Sequence, residues 1–162
     1  MKTHAWMMGA WLALAAIPTM AATPRCDLPE ELGMREIDEL LSRRAVDLVR
    51  RAADPMDRLT GLVAPSAPFD LGGGDVGRPL GKGTRGAREL VRLMHADSYR
   101  YLGWGYMNTP RDGCARYEIN VEFTDSSTQT LSLMTFQFEA GVIVEAKGWQ
   151  RSFQSGPLQI SR

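Results

Sequence analysis

Apolar residues recur at intervals of three or four positions over residues 34–52, with charged residues between them. Such intervals place the apolar side chains on one side of a helix, so the pattern predicts an amphipathic helix here. Asp54 then precedes Pro55, which is the order of an N-cap acceptor and a first helical residue. This pair predicts a short second helix that ends before Pro65.

Glycine is concentrated in residues 65–86, which contain seven of the 16 glycines. This composition predicts a loop, with one short strand around Phe69. Thr84 provides an N-cap for a third helix, whose apolar residues continue at helical spacing until His95.

The rest of the chain has the pattern of strands. Residues 114–124 alternate between apolar and polar side chains, so one face of this strand is expected to meet the core and the other water or a partner. Further strands are predicted over residues 99–106, 129–138 and 142–153. In the second of these, the apolar phase slips from Leu131 and Leu133 to Met134, which predicts a bulge and a bent sheet.

The order of these elements predicts the fold class. Helices first and antiparallel strands afterwards indicate an α+β domain rather than a doubly wound one. A chain of 162 residues has the length of a single domain.

Charge narrows the classes of partner. The chain has 19 Lys and Arg against 19 Asp and Glu, a net charge of zero. Nucleic-acid binders need a basic face that displaces counterions from phosphates. The balance therefore argues against a nucleic-acid partner.

The first 22 residues have the form of a secretory signal peptide. Lys2 supplies the positive start, residues 5–17 are apolar apart from Gly9, and residues 18–22 end in small side chains. We expect residues 1–22 to be removed and residues 23–162 to form one domain in the periplasm or outside the cell. The apolar run of 13 residues is shorter than the roughly 20 of a bilayer span, so no span is expected after cleavage. An uncleaved anchor is the alternative.

Export changes the interpretation of Cys26 and Cys114, the two cysteines of the chain. In an oxidising compartment they are expected to pair, and closing so long a loop would stabilise the fold by roughly 4 kcal/mol. Two separate thiols are the alternative.

The order of elements, the helix opening at Gly83 and Thr84, and the closing strands that contain FEAGVIVE over residues 138–145 resemble one family. It is the nuclear transport factor 2-like superfamily, which includes the SnoaL-like and ketosteroid isomerase-like proteins. The resemblance covers residues 34–153. It implies a cystatin-like, cone-shaped α+β barrel in which N-terminal helices pack on a curved antiparallel sheet, with a pocket between them.

The resemblance also implies where isomerase residues would lie. Asp70 and Asp75 occupy the segment of the family's general base. The matching oxyanion hole is absent, because no tyrosine occurs between Cys26 and Ser98 and no acidic residue occurs in residues 129–138. Steroid isomerase chemistry is therefore not expected, and the two aspartates are interpreted as loop residues that accept backbone hydrogen bonds.

Other chemical motifs carry little weight. Residues 81–86 match G-x-G-x-x-G, but no acidic residue follows about 20 positions later and no parallel βαβ unit is predicted. His95 is interpreted as complementing a helix C-terminus. No metal and no cofactor are expected.

Aromatic residues give the main positive indication. Most lie on the predicted sheet, where they could line a small-molecule pocket or pack in the core. The candidate ligand-binding residues are Tyr101, Trp104, Tyr106, Tyr117 and Trp149.

Two functions are therefore carried forward. The first is noncatalytic binding of a small apolar ligand or a protein partner, with a homodimer through the convex sheet face as one form. The second is a lyase- or isomerase-type enzyme with Asp70 or Asp75 as general base. An immunity or inhibitor protein would fit the size and the export, but no residue argues for it.

Overall fold

The computed structural model describes residues 32–73, 76–107 and 116–153, and gives the backbone alone for Trp104, Tyr106 and Met107. This part of the chain contains two helices and six strands. In chain order they are α1 (Met34–Ala52), β1 (Pro68–Gly73), β2 (Pro79–Lys82), α2 (Gly83–Met94), β3 (Ser98–Met107), β4 (Arg116–Asp125), β5 (Thr130–Glu139) and β6 (Val142–Ser152).

The six strands form one sheet in the order β2-β1-β6-β5-β4-β3. Neighbouring strands are antiparallel except β1 and β6, which run parallel with Phe69 opposite Ala146. The expectation of a wholly antiparallel sheet is wrong at this pair. Its cause is the segment before β1, which already runs parallel to β6 through a bridge between Val63 and Ile143. The α+β class, with helices on a curved sheet, is confirmed.

The sheet bends where strands carry an extra residue. Leu102 is such a residue in β3, because Tyr101 pairs with Val121 and Gly103 with the next residue of β4. Val144 is another in β6. An extra residue increases the local twist and bends the strand.

The bulge expected inside β5 is absent from its pairing with β4, which is continuous from end to end. Ser132, Met134 and the later even-numbered residues are buried, so the core alternation already includes a serine. Leu131 and Leu133 belong to the opposite face. The apparent slip in the apolar phase came from these outward leucines.

Helix α1 has the predicted bounds. Its start is fixed by Glu36, whose carboxylate accepts a 2.8 Å hydrogen bond from the Gly33 backbone N–H. Its buried stripe faces the sheet and consists of Ile37, Leu41, Ala45, Val46, Leu48 and Ala52. Arg44 reaches across to donate to the Gly141 carbonyl at the β5–β6 turn. The helix is therefore anchored to both the core and the rim of the sheet.

The short helix expected after Asp54 does not form. The Asp54 carboxylate accepts from the Met56 N–H at 2.8 Å, which closes a turn instead of a helix. Asp57 then accepts two hydrogen bonds from Arg51, at 2.7 and 2.9 Å, and Leu59 has a positive φ of 54°. The Arg51–Asp57 pair folds the chain back and the left-handed residue prevents helical continuation.

The glycine-rich segment is a hairpin rather than a loop. The strand around Phe69 is confirmed as β1, and β2 is a second strand that the glycines concealed. Helix α2 begins at Gly83 after Lys82, so Thr84 is not its N-cap. The Thr84 hydroxyl instead donates to the Arg58 carbonyl at 3.1 Å. The helix ends as predicted at His95, which adopts the left-handed conformation.

The interior of the cone is filled by the protein's own side chains. Phe69, Phe123, Phe136 and Phe138 are each at most 2% exposed. Phe123 and Phe136 meet edge to face, with ring centroids 6.3 Å apart. Within the described residues, neither helix is long and apolar enough to cross a membrane.

Packing is tightest where β6 crosses β5. A Cβ atom added to Gly148 would lie 2.2 Å from the sulfur of Met134 and 2.4 Å from the Leu133 carbonyl oxygen. We therefore expect Gly148→Ala to lower the free energy of unfolding by about 1–3 kcal/mol, the usual cost of overpacking.

The control for this substitution is Gly105→Ala in β3, where the nearest atom to a new Cβ is 3.8 Å away. Urea unfolding of both variants measures the difference. Equal changes in the two would contradict the packing described here.

Candidate functional site

The aromatic candidates lie in different places. Tyr101 is 38% exposed on β3, Tyr117 is buried in the core on β4, and Trp149 is 48% exposed on the outer face of β6. The backbone register pairs Trp104 with Ile119 and Tyr106 with Tyr117. The structure therefore does not bring Tyr101, Tyr117 and Trp149 to one pocket, since the sheet separates Trp149 from the helices.

Asp70 lies on β1 between the buried Phe69 and Leu71, so its side chain belongs to the opposite, outer face of the sheet. It is half-buried there, in register with Lys147 of β6. Asp75, Cys26 and Cys114 lie outside the described residues. The roles given to these residues by sequence, including the disulfide, stay predictions.

A groove opens between helix α1 and strands β3 and β4. Its volume is about 250 Å³, near the lower end of known ligand pockets. Its lining consists of Ser42, Arg43, Val46, Asp47 and Arg50 from α1, Tyr99 and Tyr101 from β3, and Val121 from β4. The helix contributes one face, because these positions recur at intervals of three and four.

The floor of the groove is apolar. Val46 is 7% exposed and Val121 is 1% exposed. Tyr99, by contrast, is 52% exposed, and one side of its ring packs against Phe123 at a centroid distance of 6.5 Å. Tyr99 therefore joins the core to the groove and leaves much of its ring accessible to a ligand.

One end of the groove is polar, and hydrogen bonds fix the side chains there. The Tyr101 hydroxyl donates to the Asp38 carboxylate on α1, and the Ser42 hydroxyl donates to the Asp38 backbone carbonyl at 2.7 Å. Burial and the hydrogen bond to Asp38 raise the pKa of Tyr101 above its ordinary value. The phenol thus stays protonated at neutral pH and serves as a hydrogen-bonding group rather than a base.

Charged side chains stand at the rim. Arg43 lies 3.8 Å from Glu39, an exposed pair that contributes little to stability. Asp47 and Arg50 complete the rim, so both signs of charge are present. Within the described residues, no three potential metal-ligating side chains (His, Cys, Asp, Glu) cluster as a metal site would require. The arrangement is suited to holding a molecule by apolar contact and polar ends.

Sequence reasoning found Tyr101 and missed its helical partners. Asp38, Ser42 and Val46 recur at intervals of four and so share one side of α1. They do not stand out in sequence because the apolar spacing that predicts α1 marks only its core-facing side. The indication available from sequence was a stripe that mixes polar and apolar residues beside the core stripe.

Solved structures with a similar fold exist. A cystatin-like fold protein from Burkholderia xenovorans aligns with a TM-score of 0.44 and 14% identity, over 74% of this chain and 92% of its own. An NTF-2 like protein of unknown function from Silicibacter pomeroyi aligns with a TM-score of 0.42 and 15% identity, over 74% of this chain and 98% of its own. A phenazine biosynthesis-related protein from Pseudomonas aeruginosa aligns with a TM-score of 0.36 and 13% identity, over 79% of this chain and 99% of its own. No family model matches the chain, and no curated protein matches it.

The first two of these neighbours are described as a cystatin-like fold protein and an NTF-2 like protein. Their identities are at most 15% and their TM-scores are below 0.5. Alignments of this kind assign no superfamily, ligand or reaction to this chain.

The pKa of Tyr101 gives a test of the polar end. Because the folded-state pKa is raised, the stability that this tyrosine contributes is complete below pH of about 10 and is lost as the pH rises further. We expect Tyr101→Phe to remove this alkaline loss and to remove one tyrosine that ionises at an unusually high pH in an ultraviolet titration. Asp38→Asn should lower the pKa of Tyr101. If the tyrosine lost in Tyr101→Phe is one that ionises at the ordinary pH of about 10, the hydrogen bond is contradicted.

Proposed function

We propose that the protein is a noncatalytic binding domain that holds a small, largely apolar ligand in the groove between α1 and β3. The observation that carries this proposal is the combination of a filled cone with an open groove. Side chains occupy the interior, whereas Tyr99 and Tyr101 stand exposed above an apolar floor.

The filled interior argues against an enclosed reaction chamber. An enzyme that used an aspartate as general base on a hydrophobic substrate would need a cavity that excludes water, in which a carboxylate of raised pKa meets the substrate. Here Phe136 and Phe138 of β5 are both 0% exposed, and Met134 on the same strand is 0% exposed as well. The groove lies outside this packing, between the helix and the edge of the sheet.

The groove matches a ligand with a flat apolar body. An exposed tyrosine ring offers a large contact area at low entropic cost, and its hydroxyl can orient a polar substituent. The side chains of Val46 and Val121 would lie against the opposite edge of such a ligand. Arg43 and Arg50 also line the groove, where their guanidinium groups would donate hydrogen bonds to a polar or anionic substituent.

The enzyme alternative is disfavoured by the position of Asp70, its candidate base within the described residues. Asp70 lies on the outer face of the sheet and does not line the groove. The proposal has two further parts, export and a homodimer. Export rests on the sequence of residues 1–22, and a homodimer through the outer face rests on the half-exposed Leu133 and Trp149, which pair across β5 and β6.

The test uses phenylnaphthylamine, a neutral apolar reporter whose fluorescence rises on binding. We expect the protein to bind it and Tyr99→Ala to weaken binding by about tenfold, since an aromatic contact of this size is worth about 1 kcal/mol or more. Tyr99 is half-exposed, so the variant is expected to fold, which thermal unfolding checks.

The matched controls are Leu102→Ala on the same strand and Leu133→Ala on the outer face, which remove similarly exposed apolar side chains, 43% and 45% exposed. Both should bind the reporter as wild type does. Binding that survives Tyr99→Ala and is lost in Leu133→Ala would place the ligand on the outer face and overturn the proposal.

A further inference from the structure

A strongly basic segment surrounds helix α2. Residues 78–92 contain five basic residues and one acidic residue, although the whole chain has 19 of each sign. The neutral balance of the chain therefore conceals a local concentration of positive charge. The sequence resemblance assigns no role to this charge.

The fold gathers four of these side chains around one cleft. Arg85, Arg88 and Arg92 recur at intervals of three and four, so they project from one side of α2. Arg78 comes from the residue before β2, the edge strand beside the helix. The cleft has a volume of about 550 Å³, and Leu80 forms part of its wall. It lies apart from the groove between α1 and β3, with which it shares no lining residue.

The charge in the cleft is only partly neutralised. Glu89 is the acidic residue of the lining, and Arg92 donates to both of its carboxylate oxygens at 2.8 and 2.6 Å. These hydrogen bonds lower the pKa of Glu89, and the charges of Arg92, Arg78 and Arg85 lower it further. Four guanidinium groups and one carboxylate line the cleft, so the lining carries a net charge of three positive.

Part of the cleft is held in place before any ligand arrives. Arg88 donates from one terminal nitrogen to the backbone carbonyls of Pro55 and Asp57, at 2.6 and 2.8 Å. Its Nε–H is buried and, within the described part of the chain, has no hydrogen-bond partner.

The first turn of α2 contains no acidic residue, so no carboxylate there compensates the positive end of the helix dipole.

We propose that this cleft binds a small phosphate-bearing molecule. Planar guanidinium groups recognise phosphate oxygens through paired hydrogen bonds, and several of them together stabilise more than one negative charge. The volume exceeds what a single phosphate needs, and Pro79 and Leu80 offer an apolar wall to the organic part of a phosphate ester. A concave site on an otherwise balanced surface fits a small molecule better than the long backbone of a nucleic acid.

Calorimetric titration of the full mature chain with inorganic pyrophosphate at low ionic strength tests this inference. We expect binding that weakens as salt is added. Arg78→Gln and Arg85→Gln should each weaken it by about tenfold, the usual effect of removing one charged hydrogen-bond donor. The matched control is Arg35→Gln, an arginine with 91% of its side chain exposed on α1, which should bind as wild type does.

A gain of affinity provides the second test. Glu89→Gln removes the one negative charge of the cleft and releases Arg92, so pyrophosphate should bind about threefold more tightly. A purely structural role for the arginines predicts no gain. Failure of wild type to bind pyrophosphate, or equal losses in Arg35→Gln and Arg85→Gln, would overturn the proposal.

The source of the phosphate is decided by a further comparison. Vesicles that contain phosphatidylglycerol present the same chemistry on a membrane surface. We expect soluble pyrophosphate to bind without vesicles and to compete with any vesicle binding. If the protein binds the vesicles but does not bind pyrophosphate, and pyrophosphate does not displace it from the vesicles, a small-molecule site is contradicted.

Discussion

The packing of inward side chains from the sheet and the two helices into one core is the constraint on which the rest of the molecule depends. Phe123, Phe136 and Phe138 close the concave face of the sheet, and Met134 fills the space that Gly148 leaves on β6. Close-packed interiors have few voids larger than a water molecule. Among the described residues, the groove and the cleft both lie outside this packing, the groove beside α1 and the cleft beside α2.

Much of the fold could be predicted because its patterns are local. Helix α1 follows from the spacing of its apolar residues, and β4 follows from strict alternation, which burial reproduces. The sequence-based predictions failed where tertiary contacts determine the local structure. Nothing in the spacing indicates that Arg51 would pair with Asp57 and replace a helix with turns. Strand β2 is four residues long, and its partner is what makes it a strand.

The sites were harder to predict than the fold. Sequence identified Tyr101, and the alternation of β4 puts Tyr117 on the same face as the other apolar residues of that strand. It could not show that Trp149 lies on the outer face, because the extra residue Val144 shifts the face on which the later residues of β6 lie. The arginines of α2 do not stand out in sequence because the charges of the whole chain balance, 19 basic against 19 acidic residues. Their convergence with Arg78 depends on the β1–β2 hairpin, which places the edge strand beside the helix.

The claim that ligands bind outside a filled cone is tested most directly by intermolecular nuclear Overhauser effects between bound phenylnaphthylamine and the protein. We expect contacts with the ring of Tyr99 and the methyl groups of Val46, which line the groove. We expect none with the methyl group of Met134, which is fully buried. Contacts with Met134 or Phe136 would show that the interior opens to admit a ligand and would contradict this account.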